Sequence, residues 1–244
     1  MATSTPTPEK TEKKSPSPAR RRTSGKYAAP RRKPPRRRQN YSRYLPILIA
    51  VLAVVVILGI VVNLNGGSQM DKLARDRTPY WVDKQIIEIN GSGRRGEKLT
   101  GVTDIVIHYV GNPGTTAQQN HDYYDQPETT VSSHFVIGLE GEVIQCIPLT
   151  EIAYASNIRN EDTVAIEVCH PDETGAFSPA AYQQVVELTA WLCRTFDLDP
   201  DTDVIRHYDV TEKLCPLYYV EHPDAWDAFR ADVAAEMERQ TEVS

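Results

Sequence analysis

From Leu45 to Val62 the chain reads LPILIAVLAVVVILGIVV, eighteen residues without a charged or strongly polar side chain. Coiled as a helix, such a run is about 27 Å long, close to the roughly 30 Å of a bilayer's hydrocarbon layer. A helix buried in a soluble core rarely lacks a polar face altogether. A cleaved signal peptide would need a charged leader as long as residues 1–43, and no small-x-small cleavage pattern follows Val62. The run therefore predicts a retained membrane span over residues 44–64, with different polymers on its two sides.

The charge distribution sets the expected orientation. Residues 1–43 hold 14 of the chain's 27 Lys and Arg but only Glu9 and Glu12 of its 33 acids, leaving 13 basic against 31 acidic residues downstream. The positive-inside rule keeps such a tail in the cytoplasm and places everything after the span outside the cell membrane, as a single-pass protein. The tail is rich in Pro, Ser, Thr and Arg and nearly devoid of large apolar residues, a composition that predicts disorder. Its position next to the span favours anionic inner-leaflet lipid as a partner over nucleic acid, and no nucleic-acid partner is expected. Residues 65–78 read as a linker opening with Gly66–Gly67.

Residues 79–240 regain the aromatic and β-branched content of a single globular domain. Apolar runs predict strands at 104–110, 132–139, 142–149, 163–170 and 203–208, the second and third joined through Glu140–Gly141 as a hairpin. Helical signals cover 115–126, 178–196 and 222–239, the second opening with Ser178 as cap and Pro179 in the first turn. The expected class is α/β, a central mixed β-sheet flanked by helices.

Two histidines stand at the ends of apolar strands, His108 in IVIHYV and His207 in VIRHY, and Cys215 follows the second by eight residues. A strand histidine taken alone is more often a satisfied core residue than a ligand. Three N/S ligands with one open position are, however, the arrangement of catalytic zinc, whereas structural zinc takes four protein ligands, and no Cys-x-x-Cys spacing is present. Cys146, Cys169 and Cys193 lie in apolar runs and read as buried thiols; His121 and His222 read as surface residues.

The segments IVIHYVGNPGTTA, SSHFVIGLEGEVIQCIP, TVAIEVCHPDETGAFS and RHYDVTEKLCP, in this order, resemble the zinc-dependent N-acetylmuramoyl-L-alanine amidases of the peptidoglycan-recognition-protein type, in forms common among Gram-positive bacteria and their phages. The resemblance runs from about residue 80 to 220. It implies Zn2+ held by His108, His207 and Cys215, with Glu167 as general base and Lys213 facing the reaction's oxyanion. It further implies a peptidoglycan substrate, glycan strand with stem peptide, cut between N-acetylmuramic acid and L-alanine. His134, Asn112, Tyr123, Asn157 and Arg159 are the candidates for substrate contact. Two departures stand out: Ser133 replaces a tyrosine that some phage members use catalytically, and Leu217 replaces a small residue after Cys-Pro. The alternative is a receptor-like module of the same fold that binds wall fragments without cutting them; such modules lack the zinc cysteine, which is present here as Cys215.

Overall fold

The computed structural model describes residues 44–65, 78–89 and 92–242, and the side chains of all of these except 57–65. The basic tail and most of the linker expected from the sequence lie outside the described residues. The apolar run forms α1 (Leu45–Asn65) without interruption. Its side chains are exposed over 45–56, a stretch of about 18 Å. Among the described residues, no helix is long and apolar enough to cross a membrane.

The remaining elements are β1 (Val82–Lys84), β2 (Asp104–Tyr109), α2 (Ala117–Tyr124), β3 (Phe135–Ile137), β4 (Val143–Gln145), β5 (Thr163–Val168), α3 (Pro179–Phe196), α4 (Pro200–Asp203), β6 (Val204–Arg206), α5 (His207–Thr211), α6 (Leu217–Glu221) and α7 (Pro223–Glu242). Six strands form one sheet in the order β1-β4-β3-β5-β2-β6. It is mixed as expected: β3 and β4 run antiparallel and the other neighbours parallel. The β3–β4 hairpin turns at Gly141, whose φ of 85° falls in the left-handed region that glycine enters without a Cβ penalty. β1, a three-residue edge strand on β4, carries no clear sequence signal.

Strand alternation assigns the two faces of the sheet. Ile105, Ile107, Phe135, Ile137, Val164, Ile166 and Val168 point into one core, which α3 and α7 cover with Val185, Leu188, Leu192, Phe196, Phe229 and Val233. Each such side chain, fully buried, contributes about 1.5–3 kcal/mol relative to exposure. α3 starts as its sequence signals demand. Ser178 accepts the Ala181 N–H, Pro179 lies in the first turn, and Asp197 ends the helix in the left-handed conformation. The opposite face packs Val136, Ile144, Cys146 and Cys169 against Ala117 and Tyr124 of α2. α2 is capped by Thr116, which exchanges hydrogen bonds with Gln119. The free thiols Cys146, Cys169 and Cys193 are buried, as the sequence suggests.

Two readings need correction. The strand predicted over 203–208 stops at Arg206, because the Asp209 carboxylate accepts the Arg206 N–H at 2.8 Å and starts a helix there. His207 is consequently the first residue of α5. His121 is not a surface residue: it is 8% exposed and its Nε2 lies 2.8 Å from the Gln85 carbonyl.

Candidate metal centre

The same alternation that sends Ile105 and Ile107 into the main core turns His108 to the other face. On the adjacent strand it turns Glu167 the same way, away from Ile166 and Val168. β2 and β5 are in register with His108 opposite Glu167, so the two side chains stand side by side at the carboxyl ends of the central strands. Their closest atoms, His108 Nδ1 and Glu167 Oε1, are 3.9 Å apart.

His207 and Cys215 arrive from the far side of β2. β6 pairs with β2 and delivers the chain at Arg206, and the turn into α5 brings the His207 ring to 4.6 Å from that of His108, centroid to centroid. α5 ends at Glu212, in the left-handed conformation with φ 61°. The chain then folds back so that the Tyr208 N–H meets the Cys215 carbonyl at 2.9 Å, while the Cys215 N–H meets the Lys213 carbonyl at 2.7 Å. This closure returns the thiol to the histidines, with Cys215 Sγ 3.8 Å from His108 Nδ1. Ligand atoms of all three residues lie within 4.8 Å of one another and all three are buried.

The environment suits a cation. Burial, reinforced by the Lys213 charge and by the repulsion a second protonated ring at His207 would exert, holds His108 well below the usual imidazole range. Burial and Lys213 also lower His207, so both rings stay neutral and offer lone pairs at pH 7. Burial pushes the Cys215 thiol up to about 12, Glu167 adding to the rise while the Tyr109 N–H and Lys213 oppose it. A thiol so placed ionises at neutral pH only with a cation beside it. His207 Nδ1 is buried without a hydrogen-bond partner. Two ligands bound to one tetrahedral zinc at about 2.0–2.3 Å lie roughly 3.4–3.7 Å apart, close to the Cys215–His108 distance. Donor type, spacing and the unpartnered nitrogen therefore fit zinc.

Glu167 is 16% exposed, and its Oε2 is buried without a partner. Burial raises its carboxyl to about 8, against the pull of Lys213. Lys213 is exposed and lines the same groove, which has a volume of about 820 Å³. Tyr109, Tyr123, Tyr154, Asn157 and Asn160 line it as well.

Of the expected substrate contacts, Tyr123 and Asn157 are in the groove lining. The other three are not among its lining residues. His134 is fully buried; its Nδ1 accepts the Ala165 N–H at 3.1 Å and its Nε2 donates to the Glu151 carbonyl at 3.0 Å, so the ring ties β3 to its neighbours. Arg159 is held by Asp104 and Asp162, at the far end of β2 from His108. Asn112 lies outside the groove, where its carbonyl accepts from the Thr115 hydroxyl at 2.8 Å. Ser133, buried, has its hydroxyl between the Phe135 and Ala165 carbonyls, within reach to donate to either, and Leu217 opens α6 outside the groove. The sequence reading missed Ser156 and Asn160, for which a loop sequence such as ASNIRN gives no sign of orientation.

Residues 98–217, which contain all five central residues, match the profile of the N-acetylmuramoyl-L-alanine amidase family. Among curated proteins the chain is similar to the N-acetylmuramoyl-L-alanine amidase BlyA of Bacillus subtilis (strain 168), 31% identical over 171 aligned residues covering 62% of this chain and 46% of BlyA. It is 30% identical to the N-acetylmuramoyl-L-alanine amidase CwlL of Bacillus licheniformis, over 62% of this chain and 46% of CwlL. The chain thus spans about half the length of these relatives. The fold is shared with the catalytic domain of XlyA (TM-score 0.55, 23% identity, 62% of this chain and 98% of that one). It is shared also with the PlyG catalytic domain (TM-score 0.56, 20% identity, 64% of this chain and 94% of that one).

Proposed function

We propose, from the premise that residues 98–217 form a domain of the N-acetylmuramoyl-L-alanine amidase family, that this chain is a membrane-anchored zinc hydrolase. Its reaction is hydrolysis of the amide bond between N-acetylmuramic acid and the L-alanine of the peptidoglycan stem peptide. The observation that carries this reading is the meeting of His108, His207 and Cys215 beside an unpartnered Glu167 oxygen on an open groove.

His108, His207 and Cys215 are the residues that would hold zinc. When bound, zinc supplies Lewis acidity, lowering the pKa of a water in its open position towards about 7 and polarising a carbonyl oxygen. Glu167 accepts the proton of the attacking water as the water oxygen bonds to the lactyl carbonyl carbon. The same carboxyl then delivers that proton to the alanine nitrogen as the C–N bond breaks; the water's second proton passes from the new lactyl carboxyl to the amine, leaving a carboxylate and an ammonium group. Burial raises the Glu167 carboxyl to about 8 in the metal-free chain, and the charge of a bound zinc beside it would favour the ionised form that takes the proton. The Lys213 ammonium faces the carbonyl oxygen, where negative charge develops. Tyr123 and Tyr154 offer flat apolar surface to the sugar and lactyl groups.

Anchorage through residues 44–64 rests on the uncharged run Leu45–Val62, and the outward orientation of the domain on the basic residues before it. Such a tether raises the local concentration of the domain at the wall. Basic residues 1–43 suit anionic inner-leaflet lipid.

Incubating the full chain with purified peptidoglycan and measuring new L-alanine amino termini tests the reaction. No release above a Cys215→Ala control, despite bound zinc, sinks the enzyme and leaves the receptor-like reading. External protease on intact cells tests the anchorage: it should remove the domain and spare the tail, and the reverse pattern overturns the orientation.

A further inference from the structure

The two histidines of the centre are held by one dipeptide. His207 Nε2 lies 3.1 Å from Asn157 Oδ1, and His108 Nε2 lies 3.3 Å from Ser156 Oγ. An amide oxygen only accepts, so the His207 proton sits on Nε2 and the lone pair on Nδ1, the buried nitrogen that has no partner. His108 likewise turns Nδ1 toward Cys215 and leaves Nε2 to the Ser156 hydroxyl.

The dipeptide is itself braced. Asn160 Oδ1 accepts the N–H groups of Ala155 and Ser156, at 3.2 and 2.6 Å. Ser156 is 1% exposed, and Asn157 has φ 53°, a left-handed conformation in which asparagine is among the few comfortable non-glycine residues. This geometry brings both side chains to the rings, Ser156 from a buried position and Asn157 from the exposed edge of the site. We infer that Ser156 and Asn157 are positioning residues that fix the tautomer and ring orientation of His108 and His207 and thereby set the affinity of the site for zinc. The inference rests on the metal reading of those histidines. Partners on the remote nitrogen of a metal-bound imidazole commonly change affinity by about 10–100-fold.

The test uses the full chain stripped of metal and titrated with Co2+ and Zn2+ alone, following the cobalt ligand-field absorption and the zinc dissociation constant by chelator competition. Asn157→Gly removes the acceptor while suiting the left-handed backbone, Asn157→Asp keeps an acceptor at the same place, and Ser156→Ala removes the hydroxyl. The expected result is zinc binding weakened about 10–100-fold in Asn157→Gly and in Ser156→Ala. The cobalt spectrum should be altered and the metal-free melting temperature close to that of the parent, with Asn157→Asp restoring most of the affinity. Zinc affinity within twofold of the parent in both Asn157→Gly and Ser156→Ala overturns the inference. So does an Asn157→Asp variant as weak as Asn157→Gly, because loop shape and not the acceptor would then be responsible. A parent chain that takes up neither metal overturns the metal reading itself, a result distinct from the other two.

Discussion

At one end of the β2–β5 pair Asp104 stands opposite Thr163, and at the other His108 stands opposite Glu167. The first end is saturated. Arg159 binds Asp104 and Asp162 and reaches the Thr103 hydroxyl, while the Thr163 hydroxyl donates to the Arg159 carbonyl at 2.6 Å. The second end leaves Glu167 Oε2 and His207 Nδ1 buried without partners and Cys215 as a thiol pushed up to about 12. The same strands are thus finished for stability at their amino ends and left chemically unfinished at their carboxyl ends. Groups with perturbed protonation and unmet hydrogen bonds gather where a substrate can reach them, and they are tolerated because the other end is secure.

Glu167→Gln tests the unfinished end most severely. The amide keeps the volume and loses the proton acceptor, so kcat on peptidoglycan should fall about 10²–10⁴-fold. Zinc content should hold, and the melting temperature of the metal-free chain should stay close to the parent's, since a carboxyl that burial already holds largely protonated is replaced by an amide of the same volume. Retained activity would remove Glu167 from the reaction.

Lys213→Met follows. The exposed Lys213 lines the groove with His108, Glu167 and His207, and its charge favours the deprotonated form of each and of Cys215. Loss of that charge should lower kcat about 10²-fold with little change in KM, and Lys213→Arg should recover part of the loss. A variant that changes only KM would make Lys213 a binding residue.

How far this polarity of the sheet was legible in the sequence depends on the residue. The period-2 pattern of DIVIHY and TVAIEV already carries the turn of His108 and Glu167 away from the core, and Ser178–Pro179 and Glu140–Gly141 mark their helix and hairpin because their chemistry is local. His207 was misplaced into a strand because the apolar run outweighed Asp209, three residues past Arg206, the local signal for a helix start. For His134, which the resemblance places beside the site, and for Arg159, polarity in a sequence carries no direction. Their partners, Ala165 and Glu151 for one and Asp104 for the other, are 31, 17 and 55 residues away. Ser156 and Asn157 were unreadable as clamps for the same reason, since each is defined by a histidine about 50 residues distant.

His134 belongs to the finished part of the molecule, and pH should expose it. Burial holds its ring at about 4, against 6.5 in the unfolded chain, with the Glu151 carbonyl opposing the shift. Above pH 6.5 the ring is neutral in both states and its full contribution is present. As pH falls from 6.5 to about 4 the unfolded chain takes up a proton that the folded one refuses, and about 3 kcal/mol of stability is lost. Urea unfolding between pH 7 and 4 should show that slope in the parent and a flatter one in His134→Gln, which is less stable at pH 7. Parallel profiles would show that another group sets the acid limit.

Arg159→Ala should have the smallest effect and separates the two ends most cleanly. Its guanidinium is 29% exposed and Asp104 16%, so the pair is neither a solvated surface bridge nor a fully buried one. A loss of about 1–2 kcal/mol is expected, a fall of roughly 3–6 °C in melting temperature for a domain of this size. The activity of the folded protein, kcat and KM alike, should not move. A double-mutant cycle with Asp104→Asn should return a coupling of about 1 kcal/mol, since the two substitutions remove one shared contact. If instead KM for peptidoglycan rises while the melting temperature holds, Arg159 contacts substrate, and the amino end of β2 is not the inert support that its ion pairs describe.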